Sequence, residues 1–366
     1  MIFNAWLKDV NRLRISRNSR AKGKRLDFAE RLDDFNENFF NKFIKSINQE
    51  DLITYPSYAD YNKLEAEIAK YNKVNKSNIY FNSGSDACLK DIIQLFCKAG
   101  DNIVGTMPSF PMYSIYSKVF NVKFNYIEVE KSISVSFGKL LKKINKKTKV
   151  VILTNPNSPY GDYKSINEIE KFVKKLNRLK LPLLIDEAYV EFSPGSCKKL
   201  INKYKNIFVL RTFSKAWGAA GVRLGYIIGN KNYIEYLKSL QLTYPISNIS
   251  LKFVLYLLAN SKVALKNASQ TIKSRDSLCK ILSKNHYDVI RSHTNSIHFH
   301  HKTNDNSKII NNLLKKGYCF KHGSTKTGTP VKVPGDRRGT WIRISVGPNI
   351  EKDKIFLQCL GITSSK

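Results

Sequence analysis

Residues 149 to 186 read Lys149-Val-Val-Ile-Leu-Thr154, then an amphipathic stretch from Ser165 to Leu179, then Leu181-Pro-Leu-Leu-Ile-Asp186. The first run is continuously apolar between its ends, the mark of a strand buried on both faces. The second carries apolar residues at helical spacing. The third is again short and apolar. Strand, helix and strand in this order predict parallel crossover units. The pattern extends outward in both directions. Asn78 to Phe81 reads as a strand, followed by a helix through Phe96 that Ser85 or Asp86 could cap. Asn102 to Gly105 is a strand, Met112 to Val119 a helix, and Val122 to Val129 a strand. Ile207 to Arg211 and Leu224 to Ile228 are further apolar strands. The expectation is an α/β fold built on a mostly parallel, doubly wound sheet.

Beyond residue 230 the texture changes. Helices are predicted over Asn232–Leu240, Ser250–Leu258 and Val263–Asn285. Short strands near 287–291, 296–300, 318–321 and 340–345 then interleave with helices near 306–316 and 351–359. That is a smaller α+β unit. The expected organisation is an N-terminal segment, 1–50, packing on the small domain or a dimer interface. A large domain, 51–255, and a small C-terminal domain, 256–366, complete it. Residues 323–339, punctuated by glycine and proline and carrying Lys326, Lys332, Arg337 and Arg338, read as a long loop.

The chain has 366 residues, 42% of them hydrophobic and 11% aromatic, enough for a real core. No run of about 18 apolar residues occurs, so no transmembrane helix is expected. Lys8, Asp9 and Arg12 interrupt the first apolar stretch, which does not read as a secretory signal. A cytoplasmic location is expected. Sixty-two basic against 29 acidic residues give a net charge of +33. The lysines are spread along the whole chain rather than blocked, so the charge speaks for solubility and not for nucleic acid or membrane as a partner. None of the six cysteines forms a C-x-x-C pair, and they read as reduced thiols. His298, His300 and His301 lie in Ser-Ile-His-Phe-His-His, with His298 and His300 on one strand face. No acidic or thiol partner is fixed beside them, and no metal is expected.

Three chemistry-bearing residues fall at predicted strand ends, where open α/β sheets bind ligands. Asp186 follows Leu-Leu-Ile, a costly place for a carboxylate unless it faces a cation. Lys215 follows Ser214 at the end of Val-Leu-Arg-Thr-Phe, where desolvation would make a nucleophilic amine. Arg223 precedes the next apolar strand. A lysine, a buried carboxylate and an anion-binding Ser/Arg pair are what pyridoxal phosphate requires. The lysine forms the Schiff base, and the carboxylate keeps the pyridine nitrogen protonated. Ser214, Arg223 and the amides of Gly84-Ser85 at a helix N-terminus suit its phosphate.

Arg211-Thr-Phe-Ser-Lys-Ala-Trp-Gly-Ala-Ala-Gly-Val-Arg223-Leu-Gly-Tyr226 and Leu183-Leu-Ile-Asp-Glu-Ala-Tyr189 resemble the fold-type I pyridoxal-phosphate aminotransferases, in particular their histidinol-phosphate branch. The likeness spans about residues 32 to 347. It extends to Asn36-Glu-Asn38, Tyr55-Pro56, Asn155-Pro-Asn-Ser-Pro-Tyr-Gly161 and Trp341-Ile-Arg343-Ile-Ser-Val-Gly347. The resemblance implies an aspartate-aminotransferase-like fold and a homodimer with shared active sites, serving biosynthesis. It implies Lys215 as Schiff-base lysine and proton shuttle, Asp186 on the pyridine nitrogen, and Tyr189 on O3′, with either Asn157 or Ser158 beside it. Phe110 would stack on the ring. Gly84, Ser85, Asp86, Ser214, Arg223 and a neighbouring subunit's Tyr55 would surround the phosphate. Arg343 would bind a substrate carboxylate, with Asn36 and Lys321 also reaching substrate.

The chain departs from the family pattern at three points. Ser158 stands where the loop usually has asparagine, Phe39 replaces a proline, and Lys321 stands near a substrate-facing arginine. The implied reaction moves an amino group from an amino-acid donor such as glutamate to a small phosphorylated ketone or aldehyde. The alternative is decarboxylation of a phosphorylated amino acid, as in threonine-phosphate decarboxylases.

Overall fold

The computed structural model describes residues 4–10, 23–129, 133–323, 333–334 and 341–362. In chain order its strands begin with β1 (Lys24–Arg25), β2 (Ile79–Asn82), β3 (Asn102–Met107), β4 (Lys123–Glu128) and β5 (Thr148–Thr154). They continue with β6 (Leu183–Asp186), β7 (Ile207–Thr212), β8 (Gly225–Gly229), β9 (Tyr287–Ile290) and β10 (Ser296–His301). The last are β11 (Tyr318–Cys319), β12 (Lys321–His322) and β13 (Ile342–Ser345).

Seven strands form the main sheet in the order β2-β8-β7-β6-β5-β3-β4. Only β8 runs against its neighbours; the other pairings are parallel. The central strands β6 and β7 are buried throughout, as their unbroken apolar runs demand. Helices cover both faces, giving two apolar layers. The helix Ile166–Arg178 shows why the sequence folds this way. Ser165 and Glu168 form a reciprocal capping box at its start. Ile169, Phe172, Val173 and Leu176 make one buried stripe, each side chain worth about 1.5–3 kcal/mol relative to exposure.

The second sheet, β12-β13-β10-β9, is antiparallel, with its own core around Phe299, Ile342, Ile344 and Phe356. The segment predicted as one strand over 318–321 is two. Tyr318–Cys319 pairs in parallel with β1, and Lys321–His322 pairs with β13. Phe320, buried between them, turns the chain from one sheet to the other. The helix expected over 351–359 starts at Lys354, after a 3-10 turn over Ile350–Lys352.

The N-terminal segment touches both cores. Leu26 belongs to the small-sheet core, whereas Phe39 and Phe43 pack with Phe253 and Tyr256 against the main one. All six cysteines are free thiols. No helix among the described residues is long and apolar enough to cross a membrane. Most of the predicted loop 323–339, with Lys326, Lys332, Arg337 and Arg338, lies outside the described residues.

Candidate active site

A cavity of about 1110 Å³ opens at the carboxyl ends of the parallel strands. Its wall includes Ser85, Asp86, Phe110, Ser158, Asp186, Tyr189, Ser214, Lys215 and Arg223, so residues from five separate stretches of sequence meet there. Phe28, Arg31, Asp34 and Phe35 of the N-terminal segment close one side.

Asp186 ends β6 and is 4% exposed. One carboxylate oxygen accepts from the Ala188 amide at 3.0 Å, the other from the Tyr113 hydroxyl at 2.6 Å. Burial raises its pKa above the ordinary carboxylate range. A buried carboxylate with two donors but no salt-bridged cation among the described residues is a built receptor for a positive group. Tyr113, on the helix Met112–Val119, was not singled out in the sequence. It starts a hydrogen-bond chain in which its hydroxyl meets Thr154, Thr154 meets Ser109, and Ser109 donates to Asn157, each at 2.9 Å.

Lys215 follows β7. Its ammonium donates to the Phe28 carbonyl at 3.1 Å and lies 5.5 Å from the centre of the Tyr189 ring. Burial raises the pKa of Tyr189, but the charges of Lys215 and Arg343 and a Ser158 hydrogen bond together outweigh it. The phenol ends below its ordinary value.

The opposite end of the cavity suits an anion. Gly84 has φ +92° and precedes the helix Ser85–Phe96. That φ favours glycine, and a Cβ there would come within 2.5 Å of the Arg223 guanidinium, which would have to shift. On the next strand, a Cβ at Gly225 would sit 2.2 Å from the Ser85 nitrogen. Arg223 itself adopts φ +54°, which costs about 1–2 kcal/mol for a side-chain-bearing residue and turns it toward the helix start. It pairs with Asp86 at 3.0 Å. Contrary to expectation, neither Ser85 nor Asp86 caps this helix. Gly84 is the N-cap and, having no side chain, makes no cap bond, while Asp86 pairs with Arg223.

Other expected residues are placed differently. Asn157 is fully buried, its backbone bridged to Asp162, and it is not part of the cavity wall. Ser158 is, and it holds Tyr189. Asn36 caps the helix Glu37–Ile44 by accepting from the Phe39 amide, and Asp34 and Phe35 reach the wall in its place. Tyr55 is 75% exposed and stacks on Tyr244 with ring centres 4.3 Å apart, outside the cavity wall of its own chain. Arg343 and Lys321 stand opposite one another on β13 and β12. Burial, then Arg343, pushes Lys321 down to about 8.

These residues fit pyridoxal phosphate. Asp186 offers a buried charge for a protonated ring nitrogen, Lys215 an amine, and the Gly84–Arg223 cradle a place for phosphate. The Asn157 amide nitrogen, buried without a partner among the described residues, marks a donor left over at the end of the Tyr113 chain.

The profile of the family described as aminotransferase class I and II matches residues 30–360. A histidinol-phosphate aminotransferase of Thermoanaerobacter pseudethanolicus is 34% identical over 73% of this chain and 75% of its own. One from Clostridium novyi is 29% identical over 93% and 92%. The crystal structure of histidinol-phosphate aminotransferase from Sinorhizobium meliloti, in complex with pyridoxal-5'-phosphate, superposes with a TM-score of 0.82 at 19% identity. That match covers 98% of this chain and 97% of the other. The chain belongs to the class I and II aminotransferases and is an enzyme that works with pyridoxal 5′-phosphate.

Proposed function

We propose that the enzyme moves an amino group from glutamate to a small phosphorylated ketone or aldehyde, with histidinol phosphate as the first amine to test in the reverse direction. The observation that carries this reading is the meeting of Lys215, Asp186 and Tyr189 in one cavity whose far end holds Ser85 and Arg223. When bound, pyridoxal phosphate supplies an electron sink for the pair released at the substrate Cα. Asp186 holds the ring nitrogen's proton, with Tyr113 fixing the carboxylate. Lys215 moves the proton at Cα, and Tyr189 and Ser158 orient the ring hydroxyl. Ser85, Ser214 and Arg223 take the cofactor phosphate, and Phe110 covers the ring. Arg343 presents a planar fork to a carboxylate. Lys321 adds a point charge for a second anionic group.

We read the enzyme as a cytoplasmic homodimer. Leu52, Ile53, Tyr55, Tyr58, Leu242 and Tyr244 are exposed, and the Tyr55–Tyr244 stack and the Asn248–Thr54 hydrogen bond join them into one patch. An apolar patch of this kind calls for a partner, and a second copy would bring its Tyr55 to this cavity. Free thiols suit a reducing compartment. Residues 51–255 serve as the cofactor domain, 256–366 as the small domain, and 1–50 as the segment joining them.

The test is an absorbance scan. Purified protein should show a band near ~420 nm that is lost in Lys215→Ala, and glutamate should move it toward ~330 nm. No band after cofactor addition would overturn the reading. Release of carbon dioxide from phosphothreonine, with no response to glutamate, would replace it with decarboxylation.

A further inference from the structure

Across the small sheet, Lys321 on β12 stands opposite Arg343 on β13, and Arg343 stands opposite His298 on β10. Directly paired residues of neighbouring strands share a face, so the three side chains form one row with steps of about 4.8 Å. None of the three lines the cavity, but the row borders it: the Lys321 ammonium lies 5.3 Å from the ring of Phe28, which is part of the cavity wall. The charge of Arg343 acts on Tyr189, and that of Lys215 acts on Lys321. At the end of the row, the His298 ring lies 5.4 Å from the ring of Tyr160, on the loop that carries Asn157 and Ser158.

His298 is 1% exposed, and its Nδ1 has no hydrogen-bond partner among the described residues. A buried polar nitrogen left unpaired is costly. Two residues on, His300 is satisfied: its Nε2 is 3.3 Å from Asp288, and its ring lies 4.4 Å from that of Trp341. Burial, and then Arg343, hold His298 well below its ordinary pKa. A neutral imidazole keeps one N–H donor and adds no charge beside Arg343.

We propose that His298 is a substrate-binding residue, donating a hydrogen bond to the carboxylate that Arg343 holds. A carboxylate has about four lone-pair sites and the guanidinium fork takes two, so a donor one strand away completes the set. The inference rests on the reading of Arg343 as a carboxylate binder. It makes His298 a determinant of affinity for the carboxylate-bearing amino donor.

The test titrates succinate, a non-reacting dicarboxylate, into cofactor-loaded protein by calorimetry. His298→Phe should weaken binding roughly ten- to a hundredfold, the worth of one hydrogen bond to a charge. The ~420 nm band should be unchanged. His298→Asn, which restores a donor, should bind close to wild type. Nitrogen NMR of the wild type needs no variant to fold: one of its six histidines should shift on succinate addition. That resonance should be absent in His298→Asn. Equal succinate affinity in wild type and His298→Phe, or no moving histidine, would overturn the inference. If binding still depends on Arg343, as shown by its loss in Arg343→Lys, the function proposed above survives that result. Failure of wild type to take up cofactor would instead remove the function itself.

Discussion

Asp186 and Tyr113 lie 73 residues apart and meet through one hydrogen bond. Tyr113→Phe removes the donor and leaves the packing, so the loss is that of a bond to a charged group, about 1.5–3 kcal/mol. The expected result is a fall in kcat of roughly ten- to a hundredfold with the protein still folded, measured by steady-state kinetics alongside circular dichroism. Lys215 and Asp186 drew attention because Asp186 ends one apolar strand and Lys215 follows another, and their order and spacing with Arg223 singled them out where either alone would not. Tyr113 was not legible. Within its helix it is one more aromatic on a buried face, and only the crossover of β3 and β5 brings it to β6. The sequence left the choice between Asn157 and Ser158 open; Ser158 lines the cavity and Asn157 is buried beside it. The backbone bridge from Asn157 to Asp162 turns the asparagine inward, and no local pattern reports that.

At the level of elements, the ends of β6 and β7 are clamped by Glu187 and Arg211. The guanidinium donates to one carboxylate oxygen at 2.8 and 3.1 Å, and both residues are nearly inaccessible. The Glu187 carboxylate raises the Arg211 pKa against the effect of burial, so the guanidinium stays charged. Removing one partner strands a buried charge. Glu187→Ala is expected to cost about 3–5 kcal/mol in urea denaturation, whereas Ser165→Ala, which loses only a capping box, should cost about 1 kcal/mol. Long helices and buried strands were readable because period and apolar runs are local. The break at Phe320 was not, since the two strands it separates take partners 294 and 22 residues away in opposite directions along the chain.

For the whole molecule, the alternation of strand and helix made the doubly wound sheet legible. The distribution of the N-terminal segment between two cores depends on contacts no window of sequence contains. Two outcomes belong to this scale. Lys321 is held at about 8, so its positive charge is present below that pH and lost above it. The KM for a phosphorylated substrate should therefore rise between about pH 7 and 9, and Lys321→Arg, which stays charged, should flatten the profile. Light scattering of the loaded protein should give a dimer. Leu52→Asp together with Tyr244→Asp should shift it toward monomer and lower activity, because the patch they disrupt would carry the partner's Tyr55.

The pairing of Lys24–Arg25 with Tyr318–Cys319 also has a meaning in time. The backbones of Leu26 and Ala29 pair with Ser345, Asn295 and β11. At about 5–20 residues per second, a ribosome needs roughly 15–60 s to make the 294 residues between Lys24 and Tyr318. This segment thus waits for partners made 294 residues after it. Until it finds them, the Phe28 carbonyl cannot meet Lys215. The nascent enzyme therefore passes through a stage in which its lysine is made and its roof is not, and in that interval the cofactor's entrance is at its widest.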